Sequence, residues 1–128
     1  KMVKKNFKNL VRMSFINLFS EKSKEIFNSE MQLALSEALQ TSLQGYSACQ
    51  EGMKIRQNRL NVLKNNHFKK LFILGEKDPI LPVEKGIKEA EETQAEIVVL
   101  SGGHMSHIEN SDKLIRVLNT FILGSLSY

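Results

Sequence analysis

Two short apolar runs limit what this chain of 128 residues can fold into. Residues 71–74 read Leu-Phe-Ile-Leu and stop at Gly-Glu-Lys-Asp-Pro, and residues 97–100 read Ile-Val-Val-Leu and stop at Ser-Gly-Gly-His. Runs of this length and content, closed by turn residues, are typical of strands buried on both faces. Residues 83–93 are long enough for a helix. The segment therefore predicts strand, helix and parallel strand, followed by a second helix from about Asp112.

The ends of the two runs predict a functional site. The carboxyl ends of parallel strands share one edge of a sheet, where open α/β sheets bind their ligands. Asp78 follows the first run and His104 the second, so both are expected at that edge. A carboxylate that orients an imidazole leaves the other ring nitrogen free as a general base. Taken singly, Asp78 is explained more simply by an Asx turn, and His104 by a surface loop.

The first half of the chain has a different pattern. Residues 1–66 show apolar side chains at spacings of three and four, as amphipathic helices do. The pattern predicts a helix that ends at Gly45 and another that begins at about Ser47. Two strands alone make a poor sheet. Residues 1–66 are therefore interpreted as a helical segment that precedes the last part of an α/β domain, residues 67–128.

Residues 71–82, residues 95–109 and the amphipathic segment after them resemble the C-terminal end of the α/β-hydrolase fold. In that family, a Gly-x-x-Asp sequence after the penultimate strand supplies the acid of a catalytic triad, and a Gly-His after the last strand supplies the base. The matching positions here are Asp78 and His104. The resemblance implies a helical cap over residues 1–66 and hydrolysis of an ester, thioester, amide or C–C bond in a small-molecule substrate. It implies no cofactor and no metal.

The nucleophile of that family has no counterpart in the sequence. It lies in a Gly-x-Ser-x-Gly elbow between a strand and a helix, and no such elbow occurs here. Ser47 comes nearest, but the residues before it have a helical pattern and Cys49 replaces the second glycine. We therefore expect a C-terminal fragment of a serine-type hydrolase that is inactive alone. Its first strand would have an unpaired edge, through which the fragment would self-associate as a homodimer.

Other functions compete with this hypothesis. A non-catalytic, hydrolase-like binding module would keep the fold without the chemistry, and a helical interaction domain would carry an incidental pair of strands. A metal site would recruit His104, His107 and Glu109, with Asp112 as a further ligand, although a His-Glu-x-x-His signature is absent. The simpler interpretation of Glu109 is structural, as a brace for the loop that carries the histidine.

Charge, cysteine content and hydropathy indicate which classes of partner and which compartment to expect. The net charge of +4 is diffuse, with one basic cluster in residues 1–8, so no nucleic-acid partner is expected. A single cysteine, Cys49, excludes an intramolecular disulfide and suits the reducing cytoplasm. No apolar run approaches the roughly 18 residues of a membrane span, so no membrane partner is expected.

Overall fold

The computed structural model describes residues 2–124, and the side chains of residues 6–124. This part of the chain contains eight helices and two strands. In chain order they are α1 (Met2–Ile16), α2 (Glu21–Ile26), α3 (Asn28–Ala38), α4 (Leu43–Ile55), α5 (Leu60–Lys64), β1 (Leu71–Gly75), α6 (Val83–Glu92), β2 (Glu96–Leu100), α7 (Ser106–Glu109) and α8 (Ser111–Leu123).

The prediction of an α/β fold, as a fragment of an α/β hydrolase, is wrong. The described chain is mostly helical, and its sheet consists of two strands of five residues each. A parallel α/β domain needs a larger sheet with helices on both faces. Here α1 and α3 pack against each other, so part of the core is formed between helices. Lys1 and residues 125–128, at the ends of the two predicted segments, lie outside the described residues.

Strands β1 and β2 pair in parallel over their full length. Leu71 lies opposite Glu96 at one end, and Gly75 lies opposite Leu100 at the other. The backbone pairing continues past the strands, because the amide of Glu76 donates to the carbonyl of Leu100 at 2.7 Å. The turn after β1 and the loop after β2 therefore leave the sheet side by side.

Helix α6 connects the strands and packs on them through small residues. Gly86 and Ala90 are buried on its inner face. A Cβ atom on Gly86 would lie only 2.5 Å from Cδ2 of Leu74, so the helix approaches β1 closely because this position has no side chain. The hydroxyl of the buried Thr93 donates to the main chain of the last turn. The helix thereby returns the chain to the start of β2.

The boundary between α3 and α4 differs from the sequence prediction. Gly45 was expected to end a helix, but it lies in the first turn of α4, and the preceding helix α3 ends at Ala38. The reason is Ser42, the N-cap residue of α4, whose hydroxyl accepts a hydrogen bond from the amide of Gly45 at 3.0 Å. An N-cap serine satisfies one of the unpaired amides of a first helical turn. The predicted helix start at Ser47 is wrong for the same reason.

The buried apolar side chains fall into two groups. Val11, Met31 and Leu35 are buried among the first helices, and Leu74, Ala90 and Leu100 are buried around the sheet. Among residues 6–124, Phe19 is the largest side chain that is fully buried, with 1% of its surface exposed, and it lies in the link between α1 and α2. None of the described helices has both the length and the apolar character that crossing a bilayer requires.

Candidate functional site

The structure brings Asp78 and His104 together beyond the carboxyl ends of the two strands. Nδ1 of His104 lies 2.7 Å from Oδ2 of Asp78. The Asp78 side chain is 7% exposed and the His104 side chain is 44% exposed. An ionised carboxylate can only accept hydrogen bonds, so we assign the proton to Nδ1. Nε2 then carries a lone pair, and the described part of the chain offers it no hydrogen-bond partner.

The carboxylate of Asp78 is also the centre of an Asx turn. Its second oxygen, Oδ1, accepts hydrogen bonds from the amides of Ile80 at 2.8 Å and Leu81 at 2.9 Å. The turn and the imidazole therefore use different oxygens of one carboxylate. The sequence left two interpretations of Asp78 open, a turn residue and a partner of His104, and this geometry accommodates both.

Hydrogen bonding keeps Asp78 ionised. Burial raises the pKa of the carboxyl. Hydrogen bonds from the Leu81 amide, the His104 ring and the Ile80 amide lower the pKa, and their combined effect is larger than that of burial. The net result is a pKa for Asp78 below its ordinary value. A carboxylate held in this way is preorganised to stabilise a positive charge on the neighbouring imidazole.

The absence of a side chain at Gly75 lets the histidine loop approach the end of β1. A Cβ atom on Gly75 would overlap the carbonyl of Gly103 and lie 2.9 Å from the carbonyl oxygen of Gly102. At the same place, the amide of Lys77 donates a hydrogen bond of 3.0 Å to the carbonyl of Gly102. The two loops are therefore joined through their backbones, and this contact sets the separation between Asp78 and His104.

Glu109 binds the backbone on both sides of His104. Its Oε2 atom accepts from the amides of Gly103 at 2.8 Å and Met105 at 3.1 Å, and Oε1 accepts from the amide of Ser20 at 2.9 Å. The residue is buried, with 6% of its surface exposed. The loop that carries the histidine is therefore organised around a buried carboxylate.

The link between α1 and α2 is a part of the site that sequence reasoning missed. The amide of His104 donates to the carbonyl of Leu18 at 2.8 Å, and the amide of Ser20 is bound by Glu109. The link contributes only backbone groups to these contacts, so no residue type or spacing within the link indicates them. Asn110 anchors the other end of the loop, because its Oδ1 accepts from the amide of Gly102 at 2.9 Å.

Within the described chain, neither Ser47 nor a metal site is part of this arrangement. Ser47 lies within α4 and faces a shallow cleft that Phe7, Leu10 and Tyr46 also line. A residue within a helix is not a strand-to-helix elbow, so Ser47 has no nucleophile geometry. For the metal alternative, residues 2–124 bring together no group of three or more His, Cys, Asp or Glu side chains suited to a metal ion. Both oxygens of Glu109 are engaged by backbone amides.

Comparisons with known proteins add no family assignment. No protein-family model matches the chain, and no curated protein matches it. The functional interpretation therefore depends on the geometry of Asp78, His104 and the groups that hold them.

Proposed function

We propose that Asp78 and His104 are the acid and base of a serine-type hydrolase that cleaves an ester, thioester, amide or C–C bond of a small molecule. The observation that supports this proposal is the 2.7 Å contact between Oδ2 of Asp78 and Nδ1 of His104, on an imidazole whose other side is open to solvent. A shielded carboxylate behind an accessible imidazole is the arrangement that general-base catalysis requires.

The mechanism follows from this arrangement. Nε2 of His104 takes the proton of a hydroxyl nucleophile as that oxygen attacks the substrate, and the ring becomes an imidazolium. Asp78 remains ionised and stabilises the positive charge through the hydrogen bond to Nδ1. The imidazolium then gives its proton to the leaving group. Water then attacks the covalent intermediate while Nε2 takes one of its protons, and the imidazolium gives that proton to the nucleophile's oxygen as the second product is released.

In this proposal the hydroxyl nucleophile comes from polypeptide other than these 128 residues. The sequence contains no Gly-x-Ser-x-Gly elbow, and Nε2 has no hydroxyl partner among the described residues. We therefore expect the chain to show no hydrolysis alone. No metal or redox cofactor enters the proposed steps.

The activity test uses a p-nitrophenyl ester and a polypeptide in which this chain is joined to, or co-expressed with, the segment that supplies the nucleophile. His104→Gln should lower kcat by about 10³-fold or more, and Asp78→Asn by on the order of 10³–10⁴-fold. His107→Gln is the matched control, because this histidine lies in α7 rather than in the pair, and its rate should equal that of the parent. An unchanged rate in the His104 variant would refute the proposal.

A second test needs no catalysis and uses the chain alone. The ¹⁵N shifts of the His104 ring report which nitrogen carries the proton. We expect the Nδ1–H tautomer in the parent chain. In Asp78→Asn the side-chain amide can donate to Nδ1, which favours the other tautomer. The proposal fails if the Nε2–H tautomer dominates in the parent chain.

We also propose that the chain self-associates through the outer edge of β1. Within residues 2–124, β1 pairs only with β2, so one edge of β1 has no strand partner. Unpaired strand edges recruit other chains. Light scattering coupled to size-exclusion chromatography should give a dimer mass that falls on dilution. A constant monomer mass at high concentration would contradict this proposal.

A further inference from the structure

We infer that Glu109 is a positioning residue for His104: its carboxylate holds the backbone on both sides of the histidine and thereby sets the direction in which the imidazole points. The catalytic consequence rests on the proposed function. The positioning itself is a property of this chain and can be measured without any reaction.

The two oxygens of Glu109 divide their partners between two segments. Oε2 accepts from Gly103 and Met105, the residues immediately before and after His104, at 2.8 and 3.1 Å. Oε1 accepts from Ser20 at 2.9 Å. One oxygen therefore closes the main chain around the histidine, and the other joins that closed loop to the link between α1 and α2.

The charge of Glu109 is balanced by hydrogen bonds. Within the described residues, no Lys, Arg or His side chain forms an ion pair with this carboxylate. Burial raises its pKa, but the nearby Ser23 hydroxyl and the hydrogen bonds from the Ser20 and Gly103 amides together lower the pKa below its ordinary value. A buried carboxylate is stable only when its oxygens are fully bonded. The three amides thus stabilise the negative charge of Glu109, and the charged carboxylate in turn holds the three amides in place.

His104 needs such support because its own side chain has little packing. The imidazole is 44% exposed, and the residues before it are glycines, which give the chain wide conformational freedom. Apart from Glu109, the loop is held through the His104 amide by Leu18 and through Gly102 by Asn110 and the Lys77 amide. Without the bonds to Gly103 and Met105, the main chain next to the imidazole would be held less firmly, and we expect the contact with Asp78 to be populated less of the time.

The test compares three variants by NMR on the chain alone. Glu109→Gln keeps the shape but replaces one accepting oxygen by an NH₂ group that faces amide donors. Glu109→Asp keeps the charge but shortens the reach. Glu91→Gln is the control, because Glu91 is an exposed acid on α6. We expect hydrogen exchange at the Gly103, Met105 and Ser20 amides to accelerate by about tenfold or more in Glu109→Gln, less in Glu109→Asp and not at all in the control.

Two readouts separate positioning from a general loss of stability. General destabilisation would also accelerate exchange at Leu74 and Leu100 in the sheet, whereas positioning leaves those amides protected. In addition, the ¹⁵N shifts of the His104 ring should move from one tautomer toward an average of both in Glu109→Gln. Unchanged exchange at Gly103 and Met105, or faster exchange there with an unchanged tautomer, would overturn the inference.

A wild-type titration covers the case in which Glu109→Gln does not fold. The amide shifts of Gly103 and Met105 should follow the ¹³C shift of the Glu109 carboxyl with a common midpoint, and unrelated midpoints would overturn the inference. Failure of the proposed function is distinguishable, because an unchanged hydrolysis rate in His104→Gln would leave these NMR results as they are. Positioning would then stand, and the catalytic role would not.

Discussion

The amide nitrogen of His104 lies 2.8 Å from the carbonyl oxygen of Leu18. This bond joins the loop after β2 to the link between α1 and α2, which belongs to the helical half of the chain. Ser20 makes a second connection two residues further on, through Glu109. The position of the imidazole therefore depends on how the helices pack as well as on the sheet beneath it.

Phe19 should hold the link between α1 and α2 in place, because it lies between Leu18 and Ser20 and its side chain is buried, with 1% of its surface exposed. Phe19→Ala is expected to lower the free energy of unfolding by about 3–5 kcal/mol, because it leaves a cavity where the segment is anchored. Exchange at the His104 amide should accelerate more than exchange at Leu100. The control is Met13→Ala on α1, whose side chain is 68% exposed and whose effect should stay within about 0.5 kcal/mol. Urea unfolding and amide exchange give both quantities. Equal acceleration at both amides would show that the link does not hold the loop.

Gly75→Ala should separate the two loops that carry Asp78 and His104. The new Cβ would overlap the backbone carbonyl of Gly103, which cannot rotate away as a side chain can. We expect a loss of about 1–3 kcal/mol in stability and loss of the Nδ1–H signature of His104. Gly52→Ala is the matched control, because a Cβ atom there meets nothing within 4 Å and the residue lies within α4. It should stabilise the chain by up to about 1 kcal/mol. Similar stability in both variants would contradict the close approach.

Gly86 and Leu74 should show strong coupling in a double-mutant cycle. Gly86→Ala places a Cβ atom 2.5 Å from Cδ2 of Leu74 and should cost about 1–3 kcal/mol. Leu74→Ala should cost about 2–5 kcal/mol, since Leu74 is buried. Because the alanine at position 74 makes room for the one at position 86, the double variant should be more stable than the sum predicts by about 0.5–3 kcal/mol. Leu74→Ala combined with Gly52→Ala should be additive. Additivity in the first pair would refute the contact.

Acid should destabilise the site through Asp78 and Glu109. Both carboxyls have pKa values below their ordinary values in the folded chain. At a pH between the folded and the unfolded pKa of such a group, the unfolded state therefore binds more protons than the folded state. The stability that they contribute is fully present above the ordinary carboxyl pKa values, near 4. It is lost as the pH falls through the lower folded values. Urea unfolding from pH 7 to pH 3 should show a steeper fall for the parent chain than for Glu109→Gln. An equal slope in the two proteins would mean that Glu109 does not take part.

Short-range patterns account for much of the local structure. The apolar residues 71–74 and 97–100 are extended in β1 and β2, because bulky and β-branched side chains bounded by turn residues favour strands. The turn at Asp78 also follows from its neighbours. The helix boundary near Gly45 was mispredicted, since glycine is compatible with a helix end and the hydroxyl of Ser42 decided the start of α4.

The fold class did not follow from these patterns. The α/β prediction used a family resemblance to supply strands that residues 2–124 do not contain, and the described chain is mostly helical instead. Local periodicity specifies which segments are helical or extended, but the number of strands that associate depends on long-range packing.

The sequence by itself determined that an acid and a histidine follow two apolar runs, which was enough to expect them near each other. Only the tertiary structure decided how the imidazole is held. Glu109 and Ser20, whose hydrogen bond supports the histidine loop, are 89 positions apart, and Leu18 contributes only its backbone carbonyl. The sequence suggested Glu109 as a brace for this loop, but it could not indicate the partners at Ser20 and Leu18, because backbone groups are the same in every residue and long-range bonds have no period.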